Sequence, residues 1–287
     1  MLTKVASTAR EVIIGDNRPT VIIGERINPT GKKKFQEELQ AGNLETVRRE
    51  ALSQTAAGAD ILDVNVGAFG INEVELLPQV VQEIAALVDI PLCIDSANHE
   101  ALETALKVYR GKPLVNSVSG EERSLSRVLP LIKQYGAAVI GLVQDDEGIP
   151  QSAERRVSIA RKIVERAEEM GIPREDILID VATFSVGADA TAGPKIIEAI
   201  SRIKMELGVN VTLAVSNVSF GLPERILLNN AFVAMAIAAG ATCFIADIAK
   251  IQPAVLASDL IFSRDRRARR YIEAHRQRLQ KTEGTLT

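Results

Sequence analysis

Tryptophan is absent from this 287-residue chain, and aromatic residues make up only 3% of it. The base-stacking platforms of a nucleic-acid reader therefore have few side chains to build them, and no nucleic-acid partner is expected. Two cysteines and two histidines (Cys93, Cys243, His99, His275) cannot complete a four-ligand zinc site, and they show no ligand spacing, so no metal centre is expected. Both cysteines sit inside apolar, strand-like runs, which predicts buried reduced thiols and a cytoplasmic setting. No uninterrupted apolar run reaches the roughly eighteen residues of a membrane span, and Met1-Leu2-Thr3-Lys4 lacks the apolar stretch of an export signal. Glycine-rich phosphate loops of the Gly-x-Gly-x-x-Gly or Walker type are missing. His99, placed in the first turn of a helix, and His275, placed on a solvated one, stand apart from any nucleophile, which leaves no nucleophile–base pair.

The chain is 46% apolar and 25% charged, with no low-complexity linker, as expected of one globular unit. Its net charge of −3 is unevenly spread. Eight Lys or Arg fall between Arg264 and Lys281 against only Asp265 and Glu273, which reads as a solvated basic helix. Tyr271, Ile272 and Leu279 are expected to pack that helix on the body or on another subunit. Asp145-Asp146-Glu147 reads as a solvated turn. Lys32-Lys33-Lys34 reads equally as a helix start or as a contact for an anionic tail or acidic partner.

Eight times an apolar, β-branched run ends in a short polar burst. The bursts are Glu25-Arg26-Ile27-Asn28, Asp63-Val64-Asn65, Asp95-Ser96-Ala97-Asn98, Asn116-Ser117, Gln144-Asp145-Asp146, Asp180, Ser216-Asn217 and Asp247. Helical patterns separate them, at residues 33–57, 74–88, 99–109, 125–135, 152–170, 194–207, 226–239 and 253–262. Glycines 58, 136, 171, 208 and 240 each follow a helical run as a stop signal, and Asn98 and Ser152 are N-cap candidates. The recurrence predicts an α/β fold, a single (β/α)8 TIM barrel over residues 20–263. A short N-terminal extension (1–19) precedes it, with a small hairpin at residues 11–14 turning at Gly15-Asp16-Asn17. A basic C-terminal helix and tail (264–287) follow.

Barrel active sites gather at the C-terminal ends of the strands, so the polar bursts are the candidate site. Asp95, Asn116, Asp180 and Asn217 form its core, with Asn28, Asp63 and Asn65 nearby. A carboxylate there can accept paired hydrogen bonds from an N–H beside an NH2, and an amide can match a ring carbonyl and nitrogen. Any one strand-end Asp or Asn serves equally well as a helix cap, but capping does not require four of them to converge. The set points to a neutral, donor-rich ring rather than to a phosphate.

Gly24-Glu25-Arg26-Ile27-Asn28, Leu62-Asp63-Val64-Asn65-Val66-Gly67, Leu92-Cys93-Ile94-Asp95-Ser96, Val115-Asn116-Ser117 and Ser216-Asn217-Val218-Ser219 occur in order between about residues 20 and 262. Together they resemble the pterin-binding methyltransferases, and more narrowly the methyltetrahydrofolate:corrinoid protein methyltransferases, relatives of the folate domain of cobalamin-dependent methionine synthase. The resemblance implies that Asp95, Asn116 and Asp180 hold the pyrimidine edge of the pterin. It implies that Asn217 lies near N5 as the catalytic group and that Arg225 touches the folate, with Asp63 and Asn28 completing the substrate-binding set. It also implies methyltetrahydrofolate as substrate, a corrinoid carried on a partner protein, and a homodimer. Phe220-Gly221-Leu222-Pro223-Glu224 departs from the acetogen-type pattern and looks more like the methionine-synthase branch. A dihydropteroate synthase-like enzyme and a non-catalytic folate-binding scaffold are the alternatives. The first is disfavoured by the sequences around Asn28 and Asp63 and by the lack of a late Ser-Arg-Lys segment.

Overall fold

The computed structural model describes residues 1–283, with side chains through Gln280. Strands β1 (Leu2–Ala6) and β2 (Glu11–Gly15) open the chain as an antiparallel pair, Leu2 opposite Gly15 and Ala6 opposite Glu11. Their connection is residues 7–10, where the Ser7 hydroxyl accepts from the amides of Ala9 and Arg10. The hairpin therefore turns before residue 11. Gly15-Asp16-Asn17, expected to be its turn, instead leads the chain into the barrel. A serine turn is a weaker sequence signal than Gly-Asp-Asn, which explains the misplacement.

Eight strands follow: β3 (Val21–Ile27), β4 (Ile61–Val64), β5 (Leu92–Asp95), β6 (Leu114–Ser119), β7 (Ala138–Leu142), β8 (Ile177–Asp180), β9 (Asn210–Thr212) and β10 (Cys243–Ala246). Each pairs in parallel with the next, and β10 pairs with β3. The ring is completed between β9 and β10 by the Ala214–Ile245 bridge and by Ile245 N–H donating to Leu213 O at 3.0 Å. The barrel expectation is met.

Around the ring run α1 (Lys33–Gln40), α2 (Glu45–Ala56), α3 (Glu73–Leu87), α4 (His99–Val108), α5 (Glu122–Tyr135), α6 (Ala153–Glu169), α7 (Ala192–Leu207), α8 (Arg225–Ala239) and α9 (Ile248–Ile261). In α4, Asn98 caps the amides of Glu100 and Ala101, while Ala101, Leu102, Ala105 and Leu106 turn one apolar face to the core. Ser152 caps α6 in the same way. Residues 33–57 are two helices rather than one. Gly42 takes φ +70°, and Asn43 then accepts from Glu45 N at 2.9 Å, restarting the helix. Helix α9 begins five residues before Pro253, which it carries inside at the cost of one backbone bond.

The two-residue period of the strands sorts their side chains. Ile22, Leu62, Ile94, Val115, Val139, Ile179, Val211 and Phe244 face the helices in the larger cluster, whereas Val21, Ile23, Ile61, Cys93, Leu114, Ile140, Leu178 and Cys243 fill the barrel. Val5, Val12 and Ile14 of the hairpin join the inner cluster, and Asn210 donates to Thr3 Oγ1 (2.9 Å) and Ile14 O (3.0 Å). The N-terminal end of the barrel is thereby plugged.

The last helix, α10 (Arg269–Glu283), is tethered by Asp265, which accepts from the amides of Arg270 and Tyr271. Arg270 and Arg264 lie 3.3 and 4.0 Å from the fully buried Asp259. The basic segment is thus not wholly solvated. Tyr271, Ile272 and Leu279 remain partly exposed, and Ala274 makes the buried contact instead. The final residues of the expected tail, 284–287, lie outside the described residues.

Candidate active site

At the C-terminal end of the barrel the same alternation changes chemistry. The uppermost inward positions are Glu25 on β3, Asp63 on β4, Asp95 on β5, Asn116 on β6, Leu142 on β7, Asp180 on β8, Ala214 just past β9 and Ile245 on β10. All of them line one cavity of about 300 Å³. Asn217 and Asn28, on the loops after β9 and β3, stand at its rim, and Gln144 and Thr183 complete the lining. Six of the seven expected binding residues therefore share this space.

The polar groups hold one another in place. Asn116 Nδ2 donates to Asp63 Oδ1 (3.2 Å), and Asn65 Nδ2 donates to Asp95 Oδ2 (3.0 Å). Asp180 Oδ1 accepts from Ala182 N at 2.8 Å. Ala182 itself takes φ +54°, a conformation that strains any residue with a Cβ. The buried Arg156 stabilises that loop by donating from Nε to Val181 O at 2.9 Å.

Four carboxyls around so small a cavity cannot all keep their ordinary acidity. Burial pushes Asp95 up to about 6, against its hydrogen bond from Asn65. Burial pushes Asp180 to about 6 as well, against backbone hydrogen bonds from Ala182 and Ala214. Asp63 rises well above the usual range through burial and its neighbour Asp95. Glu25, raised to about 7 by burial and by Asp247, is relieved only partly by Lys32, Lys250 and the Ser216 hydroxyl. A cup of poorly solvated carboxyls gains from any ligand that brings N–H donors to them.

Asn217 rides on a short turn, Val215–Ser219. Arg225 braces that turn, donating from Nη2 to Ser216 O (2.6 Å) and from Nε to Ser219 Oγ (3.1 Å). Ser219 in turn donates to Asn229 Oδ1 at 2.7 Å. Arg225 lines a neighbouring cleft rather than the cavity itself. His99 is in the first turn of α4 and His275 is exposed on α10. The acidic turn after β7 is held by Arg155, which pairs with Asp145 at 2.5 Å and Glu147 at 3.5 Å. Among the described residues no cluster of His, Cys, Asp and Glu is arranged to hold a metal ion, and no helix is long and apolar enough to cross a membrane.

Sequence reading placed Glu25 and Gln144 in the polar bursts without giving either a role, and it passed over Thr183. Glu25 was detectable, because the inward period through Val21 and Ile23 reaches it next. Thr183, whose hydroxyl is buried without a partner, lies beyond β8 and carried no periodic signal.

The sequence profile described as pterin binding enzyme matches residues 24–247. The chain belongs to the pterin-binding enzymes. Within that family it is 31% identical over 267 residues to the methylcorrinoid:tetrahydrofolate methyltransferase of Eubacterium limosum, covering 90% of this chain and 96% of that protein. It is 30% identical over 262 residues to methionine synthase of Mycobacterium tuberculosis, covering 87% of this chain but only 22% of that much longer protein. Among solved structures it resembles dihydropteroate synthase of Stenotrophomonas maltophilia with bound imidazole (TM-score 0.68, 18% identity, 90% and 98% of the two chains). It also resembles that of Xanthomonas albilineans in complex with 7,8-dihydropteroate (TM-score 0.64, 20% identity, 87% and 95%). At these identities the structural likeness shows the shared barrel alone. The near full-length match to the Eubacterium enzyme puts this pterin-binding enzyme in the folate–corrinoid methyltransferase branch.

Proposed function

We propose that this enzyme moves the N5-methyl group between methyltetrahydrofolate and the Co(I) corrinoid of a partner protein. One observation carries the reading. Asp63, Asp95, Asn116 and Asp180, from four strands spread around the ring, converge on a single cavity, with Asn217 at its rim on the loop after β9, the strand next to that of Asp180. Asp95, Asn116 and Asp180 present acceptors and an amide to the N–H, NH2 and carbonyl edge of the pyrimidine ring, which does not react. Asn217 then stands by the pyrazine ring, where N5 carries the methyl group. Arg225 contributes by holding the Asn217 turn.

The chemistry asks little of a nucleophile on this chain, because Co(I) receives the methyl group. What the chain must supply is help at N5. As the methyl–N5 bond breaks, its electron pair stays on nitrogen, which is a very poor leaving group unless it gains a proton or a strengthening hydrogen bond. Asn217 offers the hydrogen bond. Glu25, on the same side of the cavity and half-protonated near neutral pH, offers the proton. One well-placed donor of this kind is worth about 3 kcal/mol in the transition state.

Pairing into a homodimer is supported by the outer face of α8, where Leu227 and Met235 are 65% and 57% exposed. The transfer itself is tested by mixing the protein with 5-methyltetrahydrofolate and cob(I)alamin. Loss of the Co(I) absorbance with formation of methylcob(III)alamin is expected. No loss above the protein-free rate would reduce the protein to a folate-binding scaffold.

A further inference from the structure

A buried cation without an acid of its own sits behind Asp180. Arg156, in the first turn of α6, is 2% exposed, and no carboxylate lies within 4 Å of it among the described residues. The acid whose charge it feels, Asp189, is engaged by Lys195 at 3.3 Å and by the Thr191 hydroxyl. Burial lowers the guanidinium from its ordinary range, and its Nη1 has no hydrogen-bond partner. Keeping such a group out of water is costly, and an apolar side chain of its size would fill the space without that cost. We propose that Arg156 is a positioning residue for the substrate, holding the loop after β8 in the strained bend that lets Asp180 receive the pterin. The identity of that ligand rests on the pterin reading above.

The contacts run through one peptide unit. Arg156 donates from Nε to Val181 O at 2.9 Å and from Nη2 to Ala182 O at 3.5 Å. The N–H of the 181–182 peptide points the opposite way from its oxygen, and it donates to Asp180 Oδ1 at 2.8 Å. That peptide is therefore clamped, with its oxygen on the guanidinium and its N–H on a carboxyl that lines the cavity. The clamp also sets the backbone beyond it. Ala182 is held at φ +54°, a left-handed conformation that costs any residue with a Cβ. A crankshaft turn of the same peptide would return Ala182 to a negative φ, and it would carry the N–H away from Asp180.

Two consequences follow for the ligand. Asp180, fixed by the amides of Ala182 and Ala214, keeps one orientation before the pterin arrives, so binding does not have to order it. The guanidinium also polarises the peptide between them, which strengthens the N–H that Asp180 accepts. The bend turns the chain so that Thr183, the next residue, lines the same cavity. Arg156 itself is absent from the cavity lining, so it acts through Asp180 rather than on the ligand. Without the clamp the strained bend becomes a minor form, and affinity falls by the fraction of molecules that keep it.

The test pairs calorimetric titration of 5-methyltetrahydrofolate with the limiting rate of methyl transfer to cob(I)alamin, for wild type, Arg156→Met and Arg156→Met/Ala182→Gly. Arg156→Met should weaken the affinity about tenfold and leave the rate at saturating folate within about twofold. Adding Ala182→Gly should bring the affinity back to within about threefold of wild type, because glycine takes the bend without strain. A brace that served stability alone would lower the melting temperature of Arg156→Met, leave the affinity of the folded protein unchanged and gain nothing from the glycine. That result overturns the proposal, as does a loss of limiting rate equal to the loss of affinity. Arg156→Lys, which keeps one donor for Val181 O, carries the same comparison if the Met variant does not fold, with a loss of about threefold that the glycine again removes. Failure of wild type to bind 5-methyltetrahydrofolate overturns the pterin reading, and the positioning of that ligand with it. Wild-type binding with unchanged affinity in Arg156→Met overturns the positioning alone.

Discussion

At the N-terminal end of the barrel the inward side chains are Val21, Ile61, Leu114, Ala138 and Leu178, closed off by Val5, Val12 and Ile14 of the hairpin. At the C-terminal end the inward side chains of the same strands are Glu25, Asp63, Asn116, Leu142 and Asp180, and they enclose an open space. Two or four residues along each strand separate a packed plug from a polar cup. The first end gains stability from apolar burial. The second forfeits some, because it keeps carboxyls out of water, with Glu25 only partly relieved by Lys32 and Lys250. The pterin-binding enzyme thus divides one architecture into a half that folds and a half that binds, as active sites at barrel tops commonly do.

Breaking the packed end has the largest expected effect. Ile14→Ala should cost about 3 kcal/mol of stability through lost contacts and a cavity beneath the barrel. Methyl transfer at a temperature where the variant stays folded should be unchanged. Denaturant unfolding and a transfer assay read the two, and a variant that loses activity while folded would join the halves that this comparison separates.

Glu25→Gln acts on the other end, keeping shape while removing the acid. Methyl transfer should slow about a hundredfold. The wild-type rate should also fall as pH rises above about 7, where Glu25 gives up its proton, and the variant should lose that dependence. A variant rate within threefold of wild type, or an unaltered pH profile, removes Glu25 from the chemistry.

A smaller effect sharpens the cost of the cup. Asp95 and Asp180 near 6 and Glu25 near 7 all lie above their ordinary values of 3.8 and 4.5. Between roughly pH 4 and 7 the folded protein therefore binds protons that the unfolded chain has released, and these groups make stability fall as pH rises through that window. Asp180→Asn should raise the melting temperature of the ligand-free protein at pH 7.5 by a few degrees and leave it nearly unchanged at pH 4. A lower melting temperature at pH 7.5 would show that Asp180 is stabilised in the fold rather than held against its preference.

Most of the barrel was legible because its signals are local. Each strand's apolar run ends in a polar burst, and Gly136 and Gly208 take the left-handed caps that their positions after helical runs required. The break at Gly42 was not legible, since the apolar pattern of α1 carries on into α2. The hairpin's turn was misplaced because Ser7 acts through its hydroxyl, a signal that Gly15-Asp16-Asn17 outweighs. In the site, Asp63, Asp95, Asn116 and Asp180 were visible as strand tips. Arg225 was visible as part of a family motif, but its brace on the Asn217 turn depends on how the loop folds back. Thr183 reaches the cavity only because Ala182 adopts a strained conformation that no pattern announces.

Single-turnover methyl transfer to cob(I)alamin, titrated with methyltetrahydrofolate, separates anchoring from chemistry in one data set. It gives an affinity from the concentration dependence and a rate constant at saturation. Asp180→Ala should weaken the affinity about tenfold with little change in the limiting rate, while Asn217→Ala should lower the limiting rate about a hundredfold with affinity within about twofold. Equal losses of affinity and rate in both variants would contradict the account, since the cup would then have no division between the wall that holds the pterin and the group that serves N5.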